Sequence, residues 1–245
     1  MSAAPLAISV APAHVKSAPV IGIVNMGNTC FMNSILQILM CTHELNAVFD
    51  TYTATPTPSK KLNIADLEKK TVAPTTTLCA AWNRLRQQYK TTGAASISPT
   101  EFIQTTQHLL KNFNNVRRQH DATELLVCLL DQFHQEMSHK VNANIRGVPI
   151  THTDHLASIC YTKIKMHFEA SYSKIIELFS GVMVNTITTP KEVRRVPEVF
   201  TMLSLPLPLS NSAKTTLEER ISQYMTIETV PNVDVLESKG AEAKP

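Results

Sequence analysis

Cys30 lies in the segment Gly22-Ile-Val-Asn25-Met-Gly27-Asn28-Thr29-Cys30, which continues as Phe31-Met-Asn33-Ser34-Ile35-Leu36-Gln37. A thiolate attacks carbonyl carbon and a thiol does not, so cysteine chemistry needs surroundings that favour the anion. The two glycines and two asparagines of residues 22–29 give a tight, irregular loop. After it, Phe31, Ile35, Ile38 and Leu39 recur at helical spacing on one face. Asn28 or Thr29 can cap that helix, which places Cys30 in its first turn. There the unpaired backbone N–H groups and the helix dipole favour negative charge. A side-chain amide from the loop and the Cys30 backbone N–H together make a sensible oxyanion hole. The same residue types also describe a structural cysteine at a helix start, where a thiol is a small hydrophobe. On chemistry alone both readings stand.

The remaining cysteines, Cys41, Cys79, Cys128 and Cys160, form no Cys-x-x-Cys pair, and the total of five is odd. That pattern argues against a disulfide framework and against a cysteine-based zinc site. It fits a reducing intracellular compartment, cytoplasmic or nuclear. The 245 residues are 43% hydrophobic and 18% charged, which suits a globular domain with a real core. A net charge of +3 without a basic stripe gives no reason to expect nucleic acid. No apolar run approaches the length of a membrane span. Residues 1–20 read as a flexible tail, because Pro5, Pro12, His14, Lys16 and Pro19 interrupt any signal-like stretch.

The elements that must position Cys30 are mostly helical up to about residue 140. Residues 51–77 are rich in Thr, Pro and Lys and read as a loop with one short helix around Asp66. Leu78, Trp82, Leu85 and Tyr89 mark an amphipathic helix. Ser98-Pro99-Thr100-Glu101 reads as an N-cap serine, a proline at the first helical position and a capping glutamate, opening a helix that buries Phe102, Leu109 and Phe113. Asp121-Ala-Thr-Glu124 is a second capping box, leading into Leu125, Cys128, Leu129, Phe133 and Met137. Residues 141–160 look loop-like. Ile175 to Phe179 form a short helix ending at Gly181, and Val182–Thr188 and Val199–Leu207 read as strands. Thr216 and Glu219 cap a last helix through Tyr224, and Glu237 to Pro245 are frayed.

The Cys30 segment resembles the cysteine box of the ubiquitin-specific proteases almost residue for residue. Ile97-Ser98-Pro99 through Phe102, then Gln119-His120-Asp121-Ala-Thr-Glu124-Leu-Leu, resembles that family's Gln-Gln-Asp-Ala-x-Glu-Phe-Leu box and its preceding helix. Leu178-Phe-Ser-Gly181 is similar to the Phe-x-Gly opening the family's fingers. Phe200 to Pro208 resembles its Phe-x-x-Leu-Ser-Leu-Pro-Ile-Pro strand, and Leu217-Glu-Glu219 the short helix after it.

The resemblance implies a papain-like α+β fold, with a helical thumb at about 21–140 and the start of fingers and palm at about 175–235. The domain it implies spans 21–235, with 236–245 as a loose end. It implies Cys30 as nucleophile, Asn25 as the oxyanion-hole amide, and Gln119 and Asp121 as residues holding the substrate tail. It implies ubiquitin or a ubiquitinated protein as partner, with no cofactor. For Asp121, a plain helix N-cap is an equal reading.

Two family features are missing. The fingers' paired Cys-x-x-Cys sites would fall near Ile187–Pro190 and Val233–Glu237, and neither holds a cysteine, so no zinc site is expected. The family's base lies in a late His-x-Gly … Gly-His-Tyr block, and no histidine follows Gly181. His134, His139, His152, His155 and His167 lie in no such context. His120, which replaces the second glutamine of the box, is a candidate substitute base with Asp121 orienting it. These features leave three readings. One is a deubiquitinating cysteine protease whose base comes from elsewhere, for instance from a second chain completing the domain. Another is a non-catalytic relative that binds ubiquitin. The last is a metal-free redox or structural thiol protein in which Cys30 is incidental.

Overall fold

The computed structural model describes residues 20–52, 76–115, 118–208 and 215–229. The chain divides into two compact units, Met1–Thr201 and Met202–Pro245. In the first, a strand β1 (Gly22–Ile23) leads into helices α1 (Cys30–Cys41) and α2 (His43–Thr51). Then come α3 (Leu78–Thr91), β2 (Ser96–Ile97), α4 (Thr100–Leu109), a 3₁₀ turn at Lys111–Phe113 and α5 (Ala122–Met137). Helices α6 (His152–Ala170) and α7 (Lys174–Phe179) precede a hairpin of β3 (Gly181–Thr188) and β4 (Val193–Phe200). The second unit holds α8 (Leu217–Tyr224). Helices gathered first and an antiparallel pair after them make an α+β arrangement.

Helix α1 buries Met32, Ile35, Leu36, Leu39 and Met40, a stripe at i, i+3, i+4, i+7 and i+8. The stripe is rotated from the expected Phe31–Ile35–Ile38–Leu39 face: Ile38 is 57% exposed and Phe31 only partly buried. At the break after α1, Asn46 Nδ2 donates to the carbonyls of Met40 (2.7 Å) and Thr42 (2.9 Å), satisfying the end of the helix from within α2. Helix α3 starts with the Thr77 hydroxyl accepting from the Ala80 N–H, while the Glu136 carboxylate accepts from the Leu78 and Cys79 N–H groups at 2.9 and 2.8 Å. That carboxylate joins α5 to the positive end of α3.

Trp82 lies at the centre of the core, its ring 6.3 Å from Phe49, 5.9 Å from Phe102 and 6.1 Å from Phe133. All four rings are at most 1% exposed. They bring α2, α3, α4 and α5 to one point, the geometry in which aromatic edges meet faces.

Four expectations are corrected. Helix α4 begins at Thr100 with Pro99 as its cap, so Ser98 does not cap it. The Ser98 hydroxyl pairs with that of Thr100 instead, because the neighbouring Ile97 is held extended in β2. Phe113 is buried, but from the 3₁₀ turn rather than from α4. A 19-residue helix, His152–Ala170, begins inside the stretch 141–160 that was expected to be a loop, opened by a complete Thr151–Asp154 capping box. None of its residues is fully buried, so its apolar periodicity was too weak to read. The second strand runs over Val193–Phe200, not 199–207. Pro197 and two arginines disguised it, although Val193, Val196 and Val199 supply β-branched residues.

The hairpin register runs from Gly181↔Phe200 to Thr188↔Val193. A Cβ on Gly181 would lie 2.7 Å from the Phe200 ring, so the glycine makes room for its cross-strand aromatic partner. Helix α6 packs on this hairpin. Helix α8 carries the expected Thr216–Glu219 capping box. The expected helix near Asp66 and the frayed end after Glu237 lie outside the described residues.

Candidate active site

The loop 24–29 is held at both ends. On its N-terminal side β1 pairs in parallel with β2, and the Gly22 and Val24 N–H groups donate to Ala95 O and Ile97 O, each at 2.9 Å. From α1, Asn33 Nδ2 donates to Ile23 O (3.2 Å) and Val24 O (3.3 Å), and Gln37 Nε2 to Ile21 O (2.7 Å). The Tyr89 hydroxyl of α3 accepts from the Ile21 N–H and donates to Gln37 Oε1. Gly27 turns the loop with φ +121°, a conformation that side chains resist.

Inside the loop, Asn25 Oδ1 accepts from the Thr29 N–H (3.2 Å) and hydroxyl (2.9 Å), and that hydroxyl accepts from the Met26 N–H (3.0 Å). Thr29 is fully buried, whereas Cys30, the first residue of α1, is exposed. Cys30 borders an open cleft of about 300 Å³ with Ile23, Asn25, Asn33, Ser34 and Gln37. No acidic side chain lies in the first turn of α1, and its N-cap residue Thr29 makes no side-chain cap.

Other thiols differ. Burial, reinforced by Glu136, pushes the Cys79 thiol far above its ordinary range, and burial raises Cys128 as well. Such thiols stay protonated.

His120 is partly buried, its ring 5.5 Å from Phe31 and 5.2 Å from Phe113, with Nε2 3.3 Å from Asn115 O. The contact with Phe31 places it one residue along α1 from Cys30. Asp121 accepts from the Thr123 and Glu124 N–H groups at 2.7 and 3.0 Å, which is N-cap geometry. Gln119 is exposed just before it. His134 pairs with the Ser173 hydroxyl at 2.8 Å, and burial holds it below its ordinary range. His139 bridges to Tyr172. His152 and His155 are exposed at the start of α6. Residues Ile187–Pro190 form the end of β3 and the hairpin turn, and no His, Cys, Asp and Glu group able to hold a metal ion occurs among the described residues.

A family model described as ubiquitin carboxyl-terminal hydrolase matches residues 21–241. The chain belongs to the ubiquitin carboxyl-terminal hydrolase family. Its relatives in this family include ubiquitin carboxyl-terminal hydrolase 45 of Danio rerio, 28% identical over 86% of this chain and 26% of that one. Another is ubiquitin carboxyl-terminal hydrolase 4 of Saccharomyces cerevisiae, 25% identical over 86% of this chain and 23% of that one. The chain thus spans about a quarter of the length of these curated relatives. Among solved structures, the SAGA Ubp8/Sgf11/Sus1/Sgf73 DUB module bound to ubiquitin aldehyde matches with a TM-score of 0.55. The match is at 18% identity, over 87% of this chain and 40% of that one. The fold is therefore the α+β fold of ubiquitin-specific proteases. No helix among the described residues is long and apolar enough to cross a membrane.

Sequence reasoning gave no role in the site to Asn33 or Gln37, which suspend the loop, read Tyr89 only as part of the apolar face of its helix, and gave Thr29 no role beyond a cap. Asn33 and Gln37 were legible in principle, since they sit 3 and 7 residues after Cys30 on a helical face. Tyr89 comes from a separate helix, and its contact with the loop had no signal in the sequence.

Proposed function

We propose that this chain carries the nucleophilic half of a thiol-dependent deubiquitinase site, acting on the bond after the C-terminal glycine of ubiquitin. The observation that carries the reading is an exposed Cys30 at the first position of α1, sharing a cleft with Asn25. The Cys30 thiolate forms a C–S bond to the glycine carbonyl carbon as the C=O π pair moves to oxygen. The Asn25 amide and the Cys30 N–H hold that oxygen. Collapse breaks the C–N bond, the amine leaves with a proton, and water then releases ubiquitin from the thioester. Gln119 and Asp121 contribute to the channel for the ubiquitin tail, Asp121 while also capping α5.

The proton carrier is the part this sequence does not supply in the family's form. The base comes from a segment outside these 245 residues or from a second chain, with His120 as the competing candidate inside them. Residues 21–235 constitute the protease-type domain, with 21–140 as thumb, and an intracellular setting, cytoplasmic or nuclear, matches its free thiols.

A ubiquitin bearing an electrophile at its C-terminus tests the proposal. Covalent capture by the wild type that disappears in Cys30→Ala supports it. Unchanged thiol reactivity at neutral pH in His120→Ala removes His120 as base. The second reading, a ubiquitin-binding module without turnover, is favoured by one observation: the His120 ring nitrogen faces the Asn115 carbonyl while the Asp121 carboxylate is engaged in the cap. Tight ubiquitin binding without an adduct would establish that reading.

A further inference from the structure

Thr29 occupies the N-cap position of α1 but makes no cap. At the same position of five other helices, Thr77, Asp121, Thr151, Ser173 and Thr216 each accept a first-turn N–H with the side-chain oxygen, while Thr42 of α2 makes no cap and donates back to Ile38 O. The Thr29 hydroxyl is instead turned back into the loop, between the Met26 N–H and Asn25 Oδ1. We infer that Thr29 is the positioning residue of the oxyanion donor, locking the Asn25 amide with its oxygen inward and Nδ2 toward the cleft beside Cys30. The inference rests on the reading of Cys30 and Asn25 given above.

A carboxamide has an acceptor end and a donor end, and rotation about χ2 exchanges them. Here the oxygen receives both the N–H and the O–H of Thr29, a residue with no solvent exposure. Rotation would set Nδ2 against two donors and leave the buried hydroxyl without its acceptor, where water cannot replace it. The relay from Met26 N–H through the Thr29 hydroxyl to Asn25 Oδ1 polarises the amide and strengthens Nδ2 as a donor. Turning the hydroxyl away from the helix also leaves the first-turn N–H groups of α1 for the developing negative charge. One side chain thereby serves both parts of the hole.

The test uses ubiquitin whose C-terminal carboxyl is replaced by an aldehyde. Cys30 Sγ bonds to the aldehyde carbon, the π pair moves to oxygen, and the thiol proton ends on that oxygen, which the Asn25 amide then holds. Adduct affinity is measured for the wild type, Thr29→Val, Thr29→Ser, Asn25→Ala and the double variant Asn25→Ala/Thr29→Val. Thr29→Val keeps the shape and removes the hydroxyl, and is expected to weaken the adduct about tenfold to hundredfold. Thr29→Ser is expected to stay within about threefold. In the Asn25→Ala background Thr29→Val should add less than about twofold, since no amide remains to be oriented.

Wild-type affinity in Thr29→Val overturns the inference, as does a loss that persists undiminished beside Asn25→Ala. Should Thr29→Val fail to fold, Asn25→Asp carries the test. It keeps an oxygen for both Thr29 donors, so its melting temperature should stay near wild type, but it presents a second oxygen to the cleft and should lose the adduct. Retained adduct or a collapsed melting temperature in Asn25→Asp overturns the inference. A wild-type protein that forms no Cys30 adduct overturns the functional reading itself, and this inference with it.

Discussion

At the scale of single residues, the site depends on a loop that spends stability to hold a shape. A side-chain cap on a helix contributes about 1 kcal/mol, and α1 forgoes it although a threonine stands in the right place. Gly27 holds the loop's shape in another way, by adopting a backbone conformation open to glycine. At φ +121° a Cβ is strained whatever the surrounding space, at a cost of about 1–3 kcal/mol. The loop is short and exposed over Val24–Asn28, so relaxation of its backbone is open to it. Gly27→Ala should therefore change the melting temperature by only a few degrees while lowering Cys30 adduct formation about tenfold. A fall in both together would mean that the turn supports the fold rather than the site. The contrast with Cys79 belongs at this scale too. Two cysteines near helix starts differ because one is exposed and the other is packed beside Glu136.

Between elements, the attachment of α2 to α3 depends on one buried guanidinium. Arg86 has no exposed side-chain surface, and its nitrogens donate to Asn46 Oδ1 (2.6 Å), Asn46 O (2.8 Å), Asn83 Oδ1 (2.8 Å) and Asp50 Oδ1 (2.7 Å). It also lies 5.6 Å from the centre of the Phe49 ring. Arg86→Ala should cost about 3 kcal/mol or more, from lost packing and unpaired acceptors, visible as a lowered midpoint in urea. A shift below about 1 kcal/mol would show the network to be replaceable by water.

Hydrogen bonds from Lys90 and then Arg86 hold the Asp50 carboxyl below its ordinary range. A carboxyl depressed on folding adds stability that is present above its unfolded value, near pH 4, and lost as pH falls through its folded value. The stability difference between wild type and Asp50→Asn should therefore be flat above about pH 5 and shrink below about pH 4. Denaturation midpoints across that range measure it, and a difference that widens in acid would contradict the assignment. Asp50 is half exposed, so the effect should also weaken in high salt.

For the molecule as a whole, the hairpin is the part whose strand edges stand without a strand partner among the described residues. Strands β3 and β4 pair only with each other among the described residues, so each leaves one edge of backbone groups open. The two edges are not equal. Strand β4 carries Arg194, Arg195, Pro197 and Glu198, residues that discourage a further strand, whereas β3 reads Gly-Val-Met-Val-Asn-Thr-Ile-Thr. Ile187, near its end, is 53% exposed. The 245-residue chain should therefore associate with concentration through β3, seen as a rising sedimentation coefficient at micromolar protein. Ile187→Lys should reduce that association without changing adduct formation at Cys30. A sharp, monomeric melting transition of the wild type at both low and high concentration would argue against an open edge.

The sequence by itself determined the local parts. The Asp121 and Thr216 caps, the helices at 78–91 and 122–137 and the start of the hairpin at Gly181 follow from capping residues and apolar spacing, which act within a few positions along the chain. Where local signals were weak or contradictory, only packing decided. Helix α6 carries no fully buried residue, β4 hides its β-branched residues among charges and a proline, and α1 turned its face when Phe31 went to Phe113 and His120. The surroundings of Cys30 divide in the same way. The resemblance of residues 22–37 points to Cys30 and Asn25 together as candidates, because both lie in one short segment. Tertiary structure brings Ala95, Ile97 and Tyr89 to suspend that loop and sets His120 beside Phe31, contacts between residues more than 60 positions apart that no local pattern encodes.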